Sequence, residues 1–281
     1  MKAYEAQETA ERFMPMVPIV ARIDGRSFHS LTRGMQRPFD HQFMQMMADT
    51  CQFLVRETRA VIGYTQSDEI NLVFNTDDPR SQVFFDGRKF KMVSGLSAMA
   101  AVYFHTRLME HGLDELARRL WYFDCRCHHV PNKGEVCNYL LWRERDATRN
   151  SIQMVGQAHF SAKELHRKST SDIQDMLMER HGINWNDFTP SEKRGSYFRR
   201  ITIQRPFTAA ELDTLPERHE ARSNPDLGIT RKDVVPVILP PFGRIKNPLG
   251  VVFGGYEAIV HEDGDRGADE ADRQNAEQQD E

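Results

Sequence analysis

The chain has 281 residues, of which 40% are hydrophobic and 28% charged, with a formal net charge of −4. That length supports one large domain or two modest ones burying roughly three quarters of the unfolded surface. No run approaches the ~20 apolar residues of a membrane span, Glu5 stands where a signal peptide needs an apolar stretch, and Cys51, Cys125, Cys127 and Cys137 are too few for a disulfide framework. A soluble, cytoplasmic protein with reduced thiols and no membrane partner is expected.

The charge is uneven. Residues 263–281 hold eight acids against Arg266 and Arg273, a charge of −6, which leaves residues 1–262 at +2. Almost devoid of large apolar residues, that acidic tail has little to bury against its ordering entropy and is expected to be disordered. A body at +2 permits RNA binding without demanding it.

In chain order, Val17 to Asp24 is a β-branched apolar run closed by Gly25 and reads as a buried strand. Phe39 to Arg59 carries Phe43, Met46, Met47, Thr50, Phe53 and Leu54 at helical spacing. Val61 to Thr65 and Ile70 to Phe74 read as a hairpin around Gln66-Ser67-Asp68-Glu69. Phe90 to Leu108 predicts a second helix, and Trp121 to His128 alternates like a strand. The order βαββαβ predicts an α+β fold of the split βαβ, ferredoxin-like kind, with helices on one face of an antiparallel sheet.

From Glu135 the composition turns to polar helices, Cys137 to Val155 and one opened by a Ser161/Glu164 capping box. Ser196 to Gln204 and Val234 to Leu239 read as strands. The expected division is a palm-like catalytic domain over 1–130, a helical and strand extension over 131–262 completing the catalytic and RNA-binding unit, and the tail.

In that fold Asp24 ends the first strand and Asp68-Glu69 marks the neighbouring hairpin turn. Converging carboxylates there could hold two Mg²⁺ ions about 3.5 to 4 Å apart for in-line phosphoryl transfer. The competing reading of each feature alone is a solvated turn. Gly25-Arg26-Ser27-Phe28-His29 could turn backbone amides toward a triphosphate, although the GxxxxGK[ST] string of a Walker loop is absent.

Four segments occur in order: RIDGRSFH (22–29), YTQSDE (64–69), FDCR (123–126) and NYLLWRERD (138–146), with Lys193-Arg194-Gly195 as a weaker fifth. As a set the chain resembles the tRNA-His guanylyltransferase family of 3′-to-5′ polymerases. The resemblance implies a polymerase-like palm that uses two Mg²⁺ ions to join a nucleotide to an RNA 5′ end, with ATP activating the 5′-monophosphate and GTP incoming, and assembly as a homotetramer, a dimer of dimers. It implies Asp24 and Asp68 as metal ligands, Gly25 contributing its carbonyl, and Glu69 as an acid at the same centre. Arg26, Ser27, Phe28, His29 and Ser67 match positions contacting the triphosphate. Lys89 lies where the family has a lysine facing the activating nucleotide.

Dedicated tRNA-His enzymes carry a His-Ile-Asn-Asn-Leu-Tyr-Asn-type run after the WRxxD segment, whereas this chain reads Asp146-Ala147-Thr148-Arg149-Asn150-Ser151-Ile152. That departure favours the guanylyltransferase-like branch, implying template-dependent repair of 5′-truncated tRNA. Arg143, Arg145 and Arg149, with Arg167 and Lys168, are placed on polar helices where they could neutralise RNA phosphates, and Asn150, Lys193 and Arg194 complete the expected RNA-contacting set. Trp121, Trp142 and Trp185 are assigned to packing. Cys125, Cys127, His128, His129 and Cys137 are competent zinc ligands, but they lack a CxxC knuckle. Two other functions compete: a palm-type nucleotide cyclase or cyclic-dinucleotide synthase, and a non-catalytic RNA-binding protein.

Overall fold

The computed structural model describes residues 1–224 and 226–261; the acidic stretch 263–281 lies outside the described residues. A first helix, α1 (Lys2–Thr9), precedes the strand β1 (Ile19–Gly25) and the short α2 (Phe28–Leu31). Helix α3 (His41–Thr58) starts where Asp40 accepts the Phe43 amide, a side-chain N-cap. Then come β2 (Ile62–Gln66), β3 (Glu69–Phe74), α4 (Lys89–Glu110), α5 (Asp114–Ala117) and β4 (Phe123–His129). The βαββαβ order read from hydrophobic periodicity is therefore the order observed, with boundaries shifted by no more than two residues.

These strands open a six-stranded sheet of order β4-β1-β3-β2-β5-β6, antiparallel at each pairing. β5 (Ser196–Pro206) and β6 (Gly228–Val237) extend it past β2. β6 begins six residues earlier than its apolar pattern announces. Its first half pairs with the outer part of β5 as a largely exposed ribbon, so backbone hydrogen bonds rather than burial define it.

Alternation sorts the side chains onto two faces. Ile19, Ala21 and Ile23 with Ile70, Leu72 and Phe74 meet α3 and α4. Gly63 belongs to this face, where any Cβ would run into Val55 and Cys51 of α3. Val20, Ile62, Tyr64 and Val73 point the other way and are covered by Val136, Leu140 and Ala147 of α6 (Lys133–His159) together with Phe242, Val251 and Val252. Helices thus cover both faces, not one. The continuous apolar run of β3, buried along its whole length, is the physical reason.

Past the sheet, Ile152 and Val155 of α6 pack with Phe39 and with Ile173 and Leu177 of α8 (Thr170–His181) in a smaller core. The Ser161/Glu164 capping box forms and opens α7 (Ala162–Leu165). Another, Thr189/Glu192, opens α9 (Pro190–Arg194), which leads into β5, and α10 (Ala209–Thr214) lies between β5 and β6. Among the described residues no helix is long and apolar enough to cross a membrane.

Candidate active site

Asp24 pairs across the sheet with Glu69 on one side and Asp124 on the other. Immediately beyond it, the Gly25 amide donates to the Asp68 carbonyl at 2.9 Å, which ties the end of β1 to the β2–β3 turn. A Cβ on Gly25 would stand 2.6 Å from the Phe28 ring, so only glycine fits this close approach. Asp24 and Asp68 are thereby brought together. Burial pushes the Asp24 carboxyl above the usual range, and the charge of Glu69 adds to it. Asp68 moves the same way, first through burial and then through the charge of Asp24, partly offset by hydrogen bonds from its own amide and Ser67.

Such mutual repulsion between partly buried carboxylates is what a hard cation relieves, and the side chains of Asp24 and Asp68 offer oxygen donors, as Mg²⁺ prefers. The residues fit the ion on that ground. Arg22 Nε reaches Asp24 Oδ2 at 3.1 Å, and Arg126 stands 3.7 Å from the same oxygen.

Arg26, Ser27 and His29 are exposed beside Gly25, with Ser27 in the left-handed region at φ 60°. Phe28 is different. Its ring is buried among Phe43, Phe104, Trp121 and Phe123, so only its backbone is available to a nucleotide. Ser67, exposed with φ 48°, sits at the tip of the β2–β3 turn.

Ser67 also lines a cavity of about 230 Å³ between the segment 32–44, α6 and α9. Arg37, Asp40, Gln66, Ser151 and Gln157 join it; Arg37, Asp40 and Gln157 belong to no segment singled out from sequence. The Arg37-Pro38 and Asp40 turn signal before α3 was the available clue. Asn150 lines this cavity as well, facing the site rather than an open RNA surface.

One expectation is corrected by the structure. Arg143 is not on a solvated helix face: only 5% exposed, it holds Glu69 through two hydrogen bonds of 2.7 Å and reaches Asp146 at 3.0 Å. Glu69 also accepts from Asn71 at 2.8 Å. Lys89, expected to face the activating nucleotide, lies away from the carboxylates and is paired with Glu11. Its amide bonds the Glu11 carbonyl and its Nζ the Glu11 carboxylate at 2.8 Å, beside Phe13, whose ring contacts His129. His129 pairs with Ile19, five positions along β1 from Asp24 and so roughly 17 Å away at ~3.3 Å per residue.

Among the other expected RNA contacts, Arg149 is exposed and paired with Asp146 at 2.6 Å, Arg145 is exposed on α6, and Lys193 Nζ caps the Asn186 carbonyl at 2.6 Å. Arg194 lines a second cavity of about 470 Å³ with Glu144, Tyr197 and Leu239. The Cys/His cluster is split by strand alternation: Cys125 and Cys127, sulfurs 3.7 Å apart, pack toward α3 and α4, whereas His128 touches Tyr139 of α6 on the other face.

Known proteins resemble this arrangement. The family described as Thg1, tRNAHis guanylyltransferase, matches residues 1–131. The tRNA(His) guanylyltransferase of Schizosaccharomyces pombe is 27% identical over 70% of this chain and 78% of its own. A structure described as a bacterial tRNA(His) guanylyltransferase (Thg1)-like protein in complex with GTP is 29% identical, covering 83% of this chain and 88% of its own with a TM-score of 0.61. A second, in complex with ATP, is 35% identical over 72% of this chain and 85% of its own, with a TM-score of 0.66. Identity at that level across most of a relative's length means that the chain belongs to the tRNA-His guanylyltransferase family, matching its guanylyltransferase-like branch, and is an enzyme of the nucleotidyltransferase class.

Proposed function

We propose that this chain is a Mg²⁺-dependent nucleotidyltransferase that joins a nucleotide to the 5′ end of a tRNA. The observation that carries the reading is the junction of Asp24 with the Asp68 turn, next to the cavity lined by Ser67 and Asn150. We read the core order β4-β1-β3-β2 as a ferredoxin-like palm, with 1–130 and 131–262 contributing to one catalytic unit. Mg²⁺ bound by Asp24, Asp68 and the Gly25 carbonyl would lower the pKa of the attacking 3′-hydroxyl and neutralise phosphate charge.

The chain's own contribution is placement. Exposed donors of Arg26, Ser27, His29 and Ser67 orient the triphosphate, the Phe28 ring fixes the turn that carries the first three, and the cavity beyond Ser67 seats the base. Arg143 clamps Glu69, so that Glu69 supports the shape of the site instead of competing for the ion. Relatives are held with ATP and with GTP, which supports ATP as activator and GTP as incoming nucleotide. Lys89, paired with Glu11, is kept as the candidate for facing the activating ATP. A homotetramer and a cytoplasmic location complete the proposal, the former checked by light scattering.

The curated relatives named for an activity are tRNA(His) guanylyltransferases, which supports guanosine addition to tRNA-His more than repair of any truncated tRNA. Repair is the second reading, motivated by the replacement of the His-Asn-rich run by Thr148-Arg149-Asn150-Ser151. Incubation with labelled nucleotides separates them, using tRNA-His lacking its extra guanosine and other tRNAs lacking one 5′ nucleotide opposite each template base. Guanosine added only to tRNA-His establishes the first reading, and addition following the template base on any tRNA establishes the second. No incorporation into any of them would overturn both.

A further inference from the structure

The three tryptophans are not alike. Trp121 is buried and donates its Nε1 to the Leu116 carbonyl, and Trp185 donates to Ser151. Trp142, assigned to packing from sequence, is 54% exposed. On α6 it follows Tyr139 by three residues and adjoins Arg143, so it lies on the flank of the helix turned toward β1 and β4. Tyr139 touches Trp142 with one edge and His128 of β4 with another, each at 5.8 Å between ring centres. The Arg143 guanidinium lies 4.5 Å from the centre of the Trp142 ring. Since Glu69 and Asp146 hold that guanidinium in place, the indole rests on a fixed, planar cation.

β4 ends the sheet on this side, and alternation turns Asp124, Arg126 and His128 toward the α6 face. The Arg126 side chain is 62% exposed, with acids among the described residues no nearer than 3.6 Å, beyond hydrogen-bond length. Arg149 lies two turns along α6 from Trp142 and is also exposed. At the other end of β4, Tyr122 is exposed, with Arg26 near its ring at 5.7 Å. The rim beside Asp24 therefore interleaves exposed aromatic rings with arginines, the chemistry that holds single-stranded nucleic acid by stacking bases and neutralising phosphates.

We infer that Trp142 is a stacking platform for an unpaired base at the end of the RNA substrate, backed by Arg143 and flanked by Arg126 and Arg149. The inference deepens the proposed nucleotidyl transfer and rests on it for the identity of the ligand. An unpaired base can come from the 5′ end receiving the nucleotide or from the 3′ strand beside it, and the experiment distinguishes the two.

Hairpin RNAs sharing one stem are prepared blunt, with a one-nucleotide 5′ overhang, or with a 3′ overhang. Equilibrium binding is followed by fluorescence anisotropy without nucleotide or Mg²⁺. Stacking on an aromatic ring contributes about 1–3 kcal/mol per base, so Trp142→Ala is expected to weaken binding of an overhanging RNA by about 5- to 150-fold. The blunt hairpin should change by less than about twofold on the same scale, and Trp142→Phe should retain the preference for overhangs. The overhang whose advantage disappears identifies the end that is bound. Unchanged affinity in Trp142→Ala, or an equal loss on blunt and overhanging RNAs, would overturn the inference. Nucleotide addition by the unaltered protein is measured alongside. Addition that proceeds while Trp142→Ala leaves overhang binding intact removes the platform alone. Trp142-dependent overhang binding without any addition removes the catalytic reading alone.

Discussion

At the residue scale, the site was legible where chemistry depends on position in the chain and illegible where it depends on distant partners. Asp24 before Gly25 and Asp68 at a hairpin tip announce themselves, and the sheet brings them together. Phe28 sits in the same motif but spends its ring on the core, which residue identity within a motif cannot reveal. Arg143 looks like any arginine on a polar helix because the acid it holds, Glu69, is on a strand far away in sequence. Trp142 presents the reverse case, an aromatic read from sequence as a packing residue that the structure leaves outside. Two predictions belong here. Asp24→Ala and Asp68→Ala should each slow nucleotide addition by far more than tenfold, about 1.4 kcal/mol, with circular dichroism unchanged; a smaller loss would remove that residue from the metal site. Arg143→Met strands a buried carboxylate and should cost about 3–5 kcal/mol in urea denaturation, most of it recovered in the Glu69→Leu/Arg143→Met double variant. A loss below about 1 kcal/mol would mean that the pair is solvated.

At the scale of elements, long helices and buried strands were readable because their apolar periodicity extends over many residues, as in α3 and β1. The outer half of β6 was not, since an exposed ribbon needs no apolar pattern, and neither was the role of α6 as a lid over the second face of the sheet. That helix carries a buried acid, Glu144, which accepts from the Tyr197 hydroxyl at 3.0 Å and the Phe242 amide at 2.6 Å. Burial outweighs both bonds and raises its carboxyl above the usual 4.5. A carboxyl raised in the folded state stabilises the fold fully below its unfolded pKa, and that contribution is lost as the pH climbs through the folded value. Asp24 and Asp68 shift the same way. Glu144→Gln should therefore flatten the fall of melting temperature with pH above about 4.5 while leaving values below it nearly unchanged. Parallel curves for the two proteins would show that Glu144 stays charged or solvated throughout.

At the scale of the molecule, the family match over residues 1–131 stops short of α6 and of Phe242, Val251 and Val252, which cover the second sheet face. Val20, Ile62, Tyr64 and Val73 find their partners on α6 and beyond, and Glu69 finds its arginine there. A fragment of residues 1–131 is accordingly expected to expose a broad apolar surface, bind hydrophobic dyes and lack a cooperative melting transition. A sharp transition in calorimetry would instead establish an autonomous unit. The position of β1 has a bearing on synthesis as well. It lies between β3 and β4, so the strand bearing Asp24 leaves the ribosome long before either neighbour exists, and the last of them ends at His129. Pairings so remote along the chain close slowly, because the intervening loop entropy must be lost before any contact offsets it. The carboxylates thus cannot meet before the hairpin ending at Phe74 has been made, and the emerging polypeptide lacks the strand framework on both sides of Asp24 until His129 has followed.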